Sequence, residues 1–402
     1  MLPLKHQAHS VGRLPLASGL LLAAAVLSLI TVMGIVHRSV AVGRPPVTLP
    51  PSPPPPPPPK PRHDIHSVLS PRIMDNPALE GPRMQLQAPR SLNSGITETT
   101  ESFAQYGTKR RGLRYRLRNT AVLNDVELLQ QDALLLVAVF NNAASWGPNR
   151  TAVDFFELIG NFTYPKRKTS LTLLTSDVAQ FDLVKTHMRT RISQYTQMTL
   201  LFRDDFNAAL ALSRENRHSS ALQNARRRML ARYRNYALLS TLEPWHQHVV
   251  WLDADVHVVP PGLVSKMVAA DRDVLEPLCY AGHPPSTQHE YDLNAWVGIR
   301  RRPEDLRNRT GFVPGNADVR HMSHLRDAAS DFMPLDSVGG TMLYVRAEVH
   351  RQGVLFPHHY VIGSDWDMEG YDGIETEGLC YSAHFLGFRC WGMPHDVIYH
   401  VS

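Results

Sequence analysis

The chain carries short, mostly apolar runs set between longer stretches of mixed character. Leu134 to Phe140 reads LLLVAVF and ends at Asn141-Asn142. Leu171 to Leu174 is a second run, closed by Thr175-Ser176-Asp177. Met198 to Phe202 is a third, and Val249-Val250-Trp251-Leu252 a fourth. Runs of this length between turn-forming residues predict buried strands. The segments between them keep helical spacing over Ala152–Ile159, Phe181–Ile192 and Ala221–Leu242. On the last, Met229, Tyr233, Tyr236 and Ser240 share one stripe, and Arg228, Arg232 and Asn235 another. Strands alternating with helices predict an α/β domain with a mainly parallel central sheet covered on both faces. Ligands of such sheets sit beyond the carboxyl ends of the strands. Further on, Thr341 to Val345 reads as a strand, an apparent helix follows "YDGIETEG" (371–378), and "VIYHV" (397–401) closes the chain as a strand.

The first hundred residues have a different texture. After a tail of residues 1–13, Leu14 to Val36 is an uncharged run of 23 residues, long enough to span a bilayer with some tilt. It exceeds the apolar core of a cleaved signal peptide, so an uncleaved signal anchor is expected. Lys5 and Arg13 precede it and Arg38 and Arg44 follow, so flanking charge does not set its orientation. Residues 37–105 read as a disordered, Pro-rich lumenal stem, with Pro53 to Pro59 unbroken. Polyproline is extended and has no internal hydrogen bonds, and a tract that buries no core acts as a spacer. The folded body is expected over 106–402.

Charge and modification sites refine this picture. A net charge of +5 over 402 residues does not call for nucleic acid. The arginines at Arg110, Arg111, Arg114, Arg116 and Arg118, and at Arg226 to Arg228, read as solvated faces or as a surface for an anionic ligand or lipid. Sequons at Asn149, Asn161 and Asn308 favour a lumenal body. The three cysteines, Cys279, Cys380 and Cys390, leave at least one unpaired within the chain, with a Cys380–Cys390 bridge as a guess.

The fourth strand ends in Asp253-Ala254-Asp255. Two carboxylates at i and i+2 repel one another unless a cation sits between them. Oxygen ligands suit magnesium or manganese, and such an ion neutralises charge on a leaving diphosphate. The alternative is a surface turn with two hydrated acids. A D-x-D after a hydrophobic strand, in a chain with anchor and stem, resembles the nucleotide-sugar glycosyltransferases of the GT-A, Rossmann-type fold.

A longer resemblance lies downstream. "LDSVGGTMLYVRAEVHRQGVLFP" (335–357), "EGYDGIETEGLCYSAHFLGFRCWGMPHDVIYHV" (369–401) and "RRRMLARYRNYALLSTL" (226–242) resemble the fungal Golgi mannan-polymerase mannosyltransferases, the Anp-type glycosyltransferase family 62. The resemblance covers roughly residues 130–401. It implies a GDP-mannose donor, a divalent cofactor such as Mn2+, and retaining α-mannosyl transfer onto a mannose-containing glycan, in α-1,6 or α-1,2 linkage. It also implies related mannosyltransferase subunits in a hetero-oligomer, and a single-pass type II Golgi membrane protein.

Roles follow by position. Asp253 and Asp255 are the metal candidates, with Asp253 also facing the donor. The resemblance to GT-A sheets adds a terminal histidine, His400, with His395 as rival. Asn141 and Asn142, at the exit of the first strand, are placed for base or ribose, and Asp177 at the exit of the second for guanine or ribose. Arg228 or Arg232 suits the diphosphate, since guanidinium matches phosphate. Asp336, before Gly339-Gly340, and Glu375 in "YDGIETEG" are the preferred acids for sugar or acceptor. Capping is the simpler reading of acids near a helix start. A non-catalytic scaffold subunit is the competing function. A two-metal phosphohydrolase would need clustered ligands, whereas the 20 histidines are scattered.

Overall fold

The computed structural model describes residues 84–401, apart from 94, 207–219, 286–288, 305–316 and 367. The expected anchor at 14–36, the Pro-rich tract and the Asn308 sequon lie outside the described residues. Among the described residues, no helix is long and apolar enough to cross a membrane.

The body begins before the boundary expected at residue 106. Strands β1 (Met84–Leu86), β2 (Arg90–Asn93) and β3 (Ile96–Phe103) are antiparallel and join the sheet through β4 (Gly112–Asn119). The reason this segment read as stem is its chemistry. In β3 only Ile96 and Glu98 are buried, so no apolar run marks it. Cross-strand contacts hold it instead, such as Arg114 Nη1 on Glu101 Oε2 at 2.9 Å.

At the centre, β5 (Leu134–Phe140), β6 (Thr169–Thr175), β7 (Gln197–Phe202) and β8 (His248–Leu252) run parallel in the order β7-β6-β5-β8. They are joined through α1 (Ala152–Gly160), α2 (Val178–Arg191) and α3 (Ser220–Thr241). These are the elements the apolar pattern predicts, with ends shifted by a few residues.

The rest of the sheet corrects the expectation of a mainly parallel one. After β8 come β9 (Val256–Val258), α4 (Leu263–Ala269), β10 (Val274–Ala281), β11 (Trp296–Arg300), β12 (Ala317–His321), β13 (Met333–Leu335), β14 (Met342–Arg346), α5 (Thr376–Phe385) and β15 (Cys390–His400). Strand β14 inserts between β8 and β10 and is antiparallel to both. On the other flank β4 is antiparallel to β7, and only β10 and β15 pair in parallel again. The sheet is therefore mixed, with a parallel centre. An apolar run buried on both faces looks the same whichever way it points, so the sequence does not disclose direction.

Alternation along the strands sorts side chains into two cores. Leu134, Leu136, Ala138 and Phe140 pack with Phe155 and Phe156 of α1 and Phe181, Val184 and Met188 of α2. Leu135 and Val137 pack with Ala231, Ala237 and Leu238 of α3 and Leu379 and Ala383 of α5. In β8, Val250 and Leu252 join the first core, Val249 and Trp251 the second. The next odd position is Asp253, which the period of two directs to the α3 side. A disulfide joins Cys380 in α5 to Cys390 at the start of β15, while Cys279 is free and buried.

Candidate functional site

The carboxyl end of β8 opens onto a cavity of about 510 Å³ between α3, the 291–294 segment, β14 and the start of α5. Its lining includes Arg227, Arg234, Asp253, Asp292, Arg300 and Glu375. Asp253 faces α3 as the strand period requires. Arg234 Nη2 donates to Asp253 Oδ1 at 3.1 Å, and its Nη1 to Glu375 Oε1 at 2.6 Å. Burial, with the neighbouring Asp255 and Asp292 carboxylates, pushes Asp253 up to about 7 against the pull of Arg234 and His400. Burial would lower Arg234, but Glu375, Asp253 and Asp292 outweigh it and hold the guanidinium firmly charged.

Asp255 lies on the turn between β8 and β9. Because β9 pairs with the last strand in the register His400↔Val256, His400 arrives beside it, with Nε2 2.9 Å from Asp255 Oδ1. Both side chains are buried. Arg150 braces the turn, donating Nη2 to Val256 O at 3.1 Å. His400 stacks on Tyr291, with ring centroids 3.6 Å apart and planes inclined by 13°.

Among the described residues, no group of three or more His, Cys, Asp or Glu side chains already converges on one point as a metal site. Asp253 is engaged by Arg234 while Asp255 and His400 face each other. The donor set nevertheless fits a divalent ion. Two ligands about 2.1 Å from one ion at a right angle lie about 3 Å apart, which matches the Asp255–His400 separation. The two carboxylates suit manganese or magnesium, and the imidazole favours the transition metal of the two.

A second layer holds the wall of the cavity. Asp292 Oδ2 accepts from Gly340 N at 2.9 Å, Thr341 N at 3.1 Å and Thr341 Oγ1 at 2.7 Å. Glu276 accepts from Gly339 N at 2.7 Å, and burial raises its pKa well above the ordinary carboxylate value. The paired glycines thus admit protein groups. A Cβ on Gly339 would sit 1.9 Å from the Asp292 carboxyl, and one on Gly340 2.3 Å from Arg234 Nη1. Beyond this, Arg300 donates to Asp372 at 3.1 Å and to Glu377 at 2.8 Å, and Arg227 lies 3.0 Å from Glu377.

Residues 114–360 match the family model Anp1. The chain belongs to the Anp1 family. The Anp1 match takes in the parallel centre, the D-x-D, Asp292 and Gly340, and stops before Glu375 and His400. Among curated relatives, the Mannan polymerase II complex anp1 subunit of Schizosaccharomyces pombe is 30% identical over 63% of this chain and 62% of its own. The Mannan polymerase complex subunit MNN9 of Candida albicans is 27% identical over 74% of this chain and 87% of its own. The chain spans less than two thirds of the first relative's length. Among solved structures, a mannosyltransferase from Pyrobaculum calidifontis, in complex with GDP-Man and Mn2+, is 14% identical over 70% of this chain and 63% of its own. Its TM-score is 0.38, too loose to assign fold or ligand.

For this Anp1 member, the structure sets Asp253 and Glu375 on Arg234 and Asp255 on His400, and places the other expected residues elsewhere. Glu375 is buried, makes no side-chain cap to α5, and has φ +59°, a conformation that side chains disfavour. It is therefore more than a helix cap. Asp336 is exposed, outside the cavity, and accepts from Gly298 N at 2.8 Å, so it pins the middle of strand β11. Asn142 and Asp177 do lie at strand exits, but their side chains cap helices, accepting from Ala144 N and Ala179 N. Asn141 Oδ1 accepts from Ser176 Oγ at 2.5 Å. His395 is exposed and bonds Ala328 O.

On α3 neither expected arginine lines the cavity. Arg228 is exposed and paired with Glu369 at 2.9 Å, and Arg232 lies over the Phe206 ring at 4.0 Å. The cavity is lined by Arg226, Arg227 and Arg234. Arg227, Ala231, Arg234 and Leu238 are buried, at spacings of four, three and four. Two arginines on an apolar helix stripe were the available signal.

Proposed function

We propose that this chain is a metal-assisted glycosyltransferase that moves a mannosyl group from GDP-mannose to a mannose-containing glycan. The observation that carries this reading is the pairing of Asp255 with His400 at 2.9 Å, two residues after Asp253, beside an arginine-lined cavity at the carboxyl end of a parallel strand. Membership of the Anp1 family, and relatives named as mannan polymerase subunits, support mannose chemistry and a hetero-oligomer of related subunits. The GT-A assignment rests on this site and on the parallel centre of the sheet.

In the reaction the bond from the anomeric carbon to the donor's β-phosphate oxygen breaks, and a bond to an acceptor hydroxyl oxygen forms. A divalent ion held by Asp253, Asp255 and His400 would neutralise charge on the diphosphate. Arg234 and Arg227, both buried side chains on the cavity lining, supply further positive charge beside the diphosphate. Arg234 also holds Glu375 at the cavity wall, 2.6 Å from its Nη1, where that side chain accepts from sugar hydroxyls. For a front-face retaining transfer, the acceptor proton passes to the departing phosphate oxygen and no dedicated base is needed.

A single-pass type II Golgi anchor is part of the same proposal. Its support is the uncharged run at 14–36, the proline tract and the sequons, of which Asn149 and Asn161 are exposed.

The test is calorimetric titration of the full-length chain with GDP, with and without Mn2+, in wild type and Asp253→Ala/Asp255→Ala. Metal-dependent binding that disappears in the double variant supports the proposal, and mannosyl transfer to mannose oligomers completes it. Equal binding with and without Mn2+, or none to the folded protein, overturns it. Donor binding without transfer would favour a non-catalytic scaffold subunit.

A further inference from the structure

A metal-ligating histidine ordinarily donates its second ring N–H to a carboxylate or carbonyl, and that bond fixes the ring. His400 lacks this support. Its Nδ1 is buried without a hydrogen-bond partner among the described residues, although Nε2 meets Asp255 at 2.9 Å. With His400 only 1% exposed, packing takes the place of that second hydrogen bond in setting the ring's orientation. The flat face of Tyr291 is the ring packed directly on it, 3.6 Å away and nearly parallel.

Tyr291 is itself well placed to act as a fixed wall. Its backbone N–H donates to Cys279 O at 2.8 Å, and its neighbour Glu290 bridges to Tyr280 at the end of β10. That strand's last residue, Ala281, pairs with His400 in the sheet. The next residue, Asp292, holds the Gly340 turn. Tyr291 also lines the cavity. One short segment therefore joins the imidazole to the wall that carries Arg234 and Asp253.

We propose that Tyr291 is a positioning residue for His400: its ring stacks on the imidazole and keeps Nε2 directed to the divalent-cation site of Asp253 and Asp255. This inference rests on the reading of that site as a metal site. It assigns to an aromatic face the work that a hydrogen bond to Nδ1 does elsewhere.

The test uses Mn2+ alone as probe on the full-length chain, followed by electron paramagnetic resonance. Tyr291→Phe keeps the stacked ring and Tyr291→Leu removes it. Loss of an outer support weakens metal affinity by roughly 10-fold or more, so Tyr291→Leu is expected to bind Mn2+ at least that much more weakly. Tyr291→Phe should stay close to wild type. Pulsed measurement of nitrogen coupling to bound Mn2+ reports His400 directly, and should fade in Tyr291→Leu and persist in Tyr291→Phe. Should Tyr291→Leu lose its cooperative melt, Tyr291→Met takes its place in both measurements. Equal affinity and equal nitrogen coupling in wild type and the non-aromatic variant overturn the role of Tyr291 and leave the metal site standing. A wild type that binds no Mn2+ overturns both.

Discussion

Arg234 Nη1 lies 2.6 Å from Glu375 Oε1, and both side chains are almost wholly enclosed. This contact joins the middle of α3 to the residue just before α5, 141 positions later. The same guanidinium reaches Asp253 at 3.1 Å, so one arginine separates two acids that would otherwise repel in a confined space.

Removing Arg234 leaves those acids without their counter-charge. Breaking one side of a buried ion pair costs roughly 3–5 kcal/mol. Arg234→Met is expected to lose stability of that order in denaturant titration. Arg234→Met/Glu375→Gln should recover part of the loss, because one uncompensated charge is gone. A double variant no more stable than Arg234→Met would show that the pair is not coupled.

One position on α3 separates two arginines by role. Arg227 lines the cavity and Arg228 pairs with Glu369 in solvent. Arg227→Gln should weaken GDP binding by roughly 10-fold or more, the range of one charge-assisted hydrogen bond. Arg228→Gln removes only a surface pair, worth at most about 1 kcal/mol, and should leave GDP affinity within roughly twofold. Calorimetry with GDP checks both, and the reverse ranking would restore the arginines expected from the sequence.

At Gly340 an added methyl would collide with Arg234, whose guanidinium is held on two sides and has nowhere to retreat. Gly340→Ala is expected to cost roughly 1–3 kcal/mol by overpacking and to lower the melting temperature. Gly160→Ala is the control. No atom lies within 4 Å of its added Cβ, and alanine at a helical position is favoured by up to about 1 kcal/mol.

Two buried histidines set the response to acid. His246 accepts from Glu243 N at Nδ1 and meets Ser170 Oγ at Nε2. His350 accepts from Trp251 Nε1 and meets Val354 O through Nδ1. Burial lowers His246 to about 3, with Arg351 assisting, and lowers His350 to about 4. As pH falls below about 6.5, the unfolded chain takes up these protons first. Stability therefore drops by up to about 1.4 kcal/mol per pH unit for each histidine, until the folded values are reached. Denaturant titrations between pH 7.5 and 4.5 should show a shallower slope for His246→Gln and His350→Gln than for wild type.

The sequence by itself determined what depends on neighbours along the chain. The runs at 134–140, 171–174, 198–202 and 249–252 are apolar over strand lengths and alternate with helix-spaced segments, so the parallel centre was legible. The D-x-D at the end of the fourth followed from that placement, and His400 was expected from the resemblance to GT-A sheets. Other features depend on partners far away in sequence, and only the tertiary structure decided them. Strand β14 enters antiparallel between β8 and β10, because burial on both faces carries no mark of direction. That insertion brings Gly340 and Thr341 to Asp253 and leaves Asp336 outside, pinning Gly298. Arg227 and Arg234 face the cavity because the helix turns about 100° per residue, and only the packed sheet fixes which stripe faces inward. Asp292 and Tyr291 carry no local pattern at all. Their roles exist only where the Gly339-Gly340 turn and His400 come to meet them.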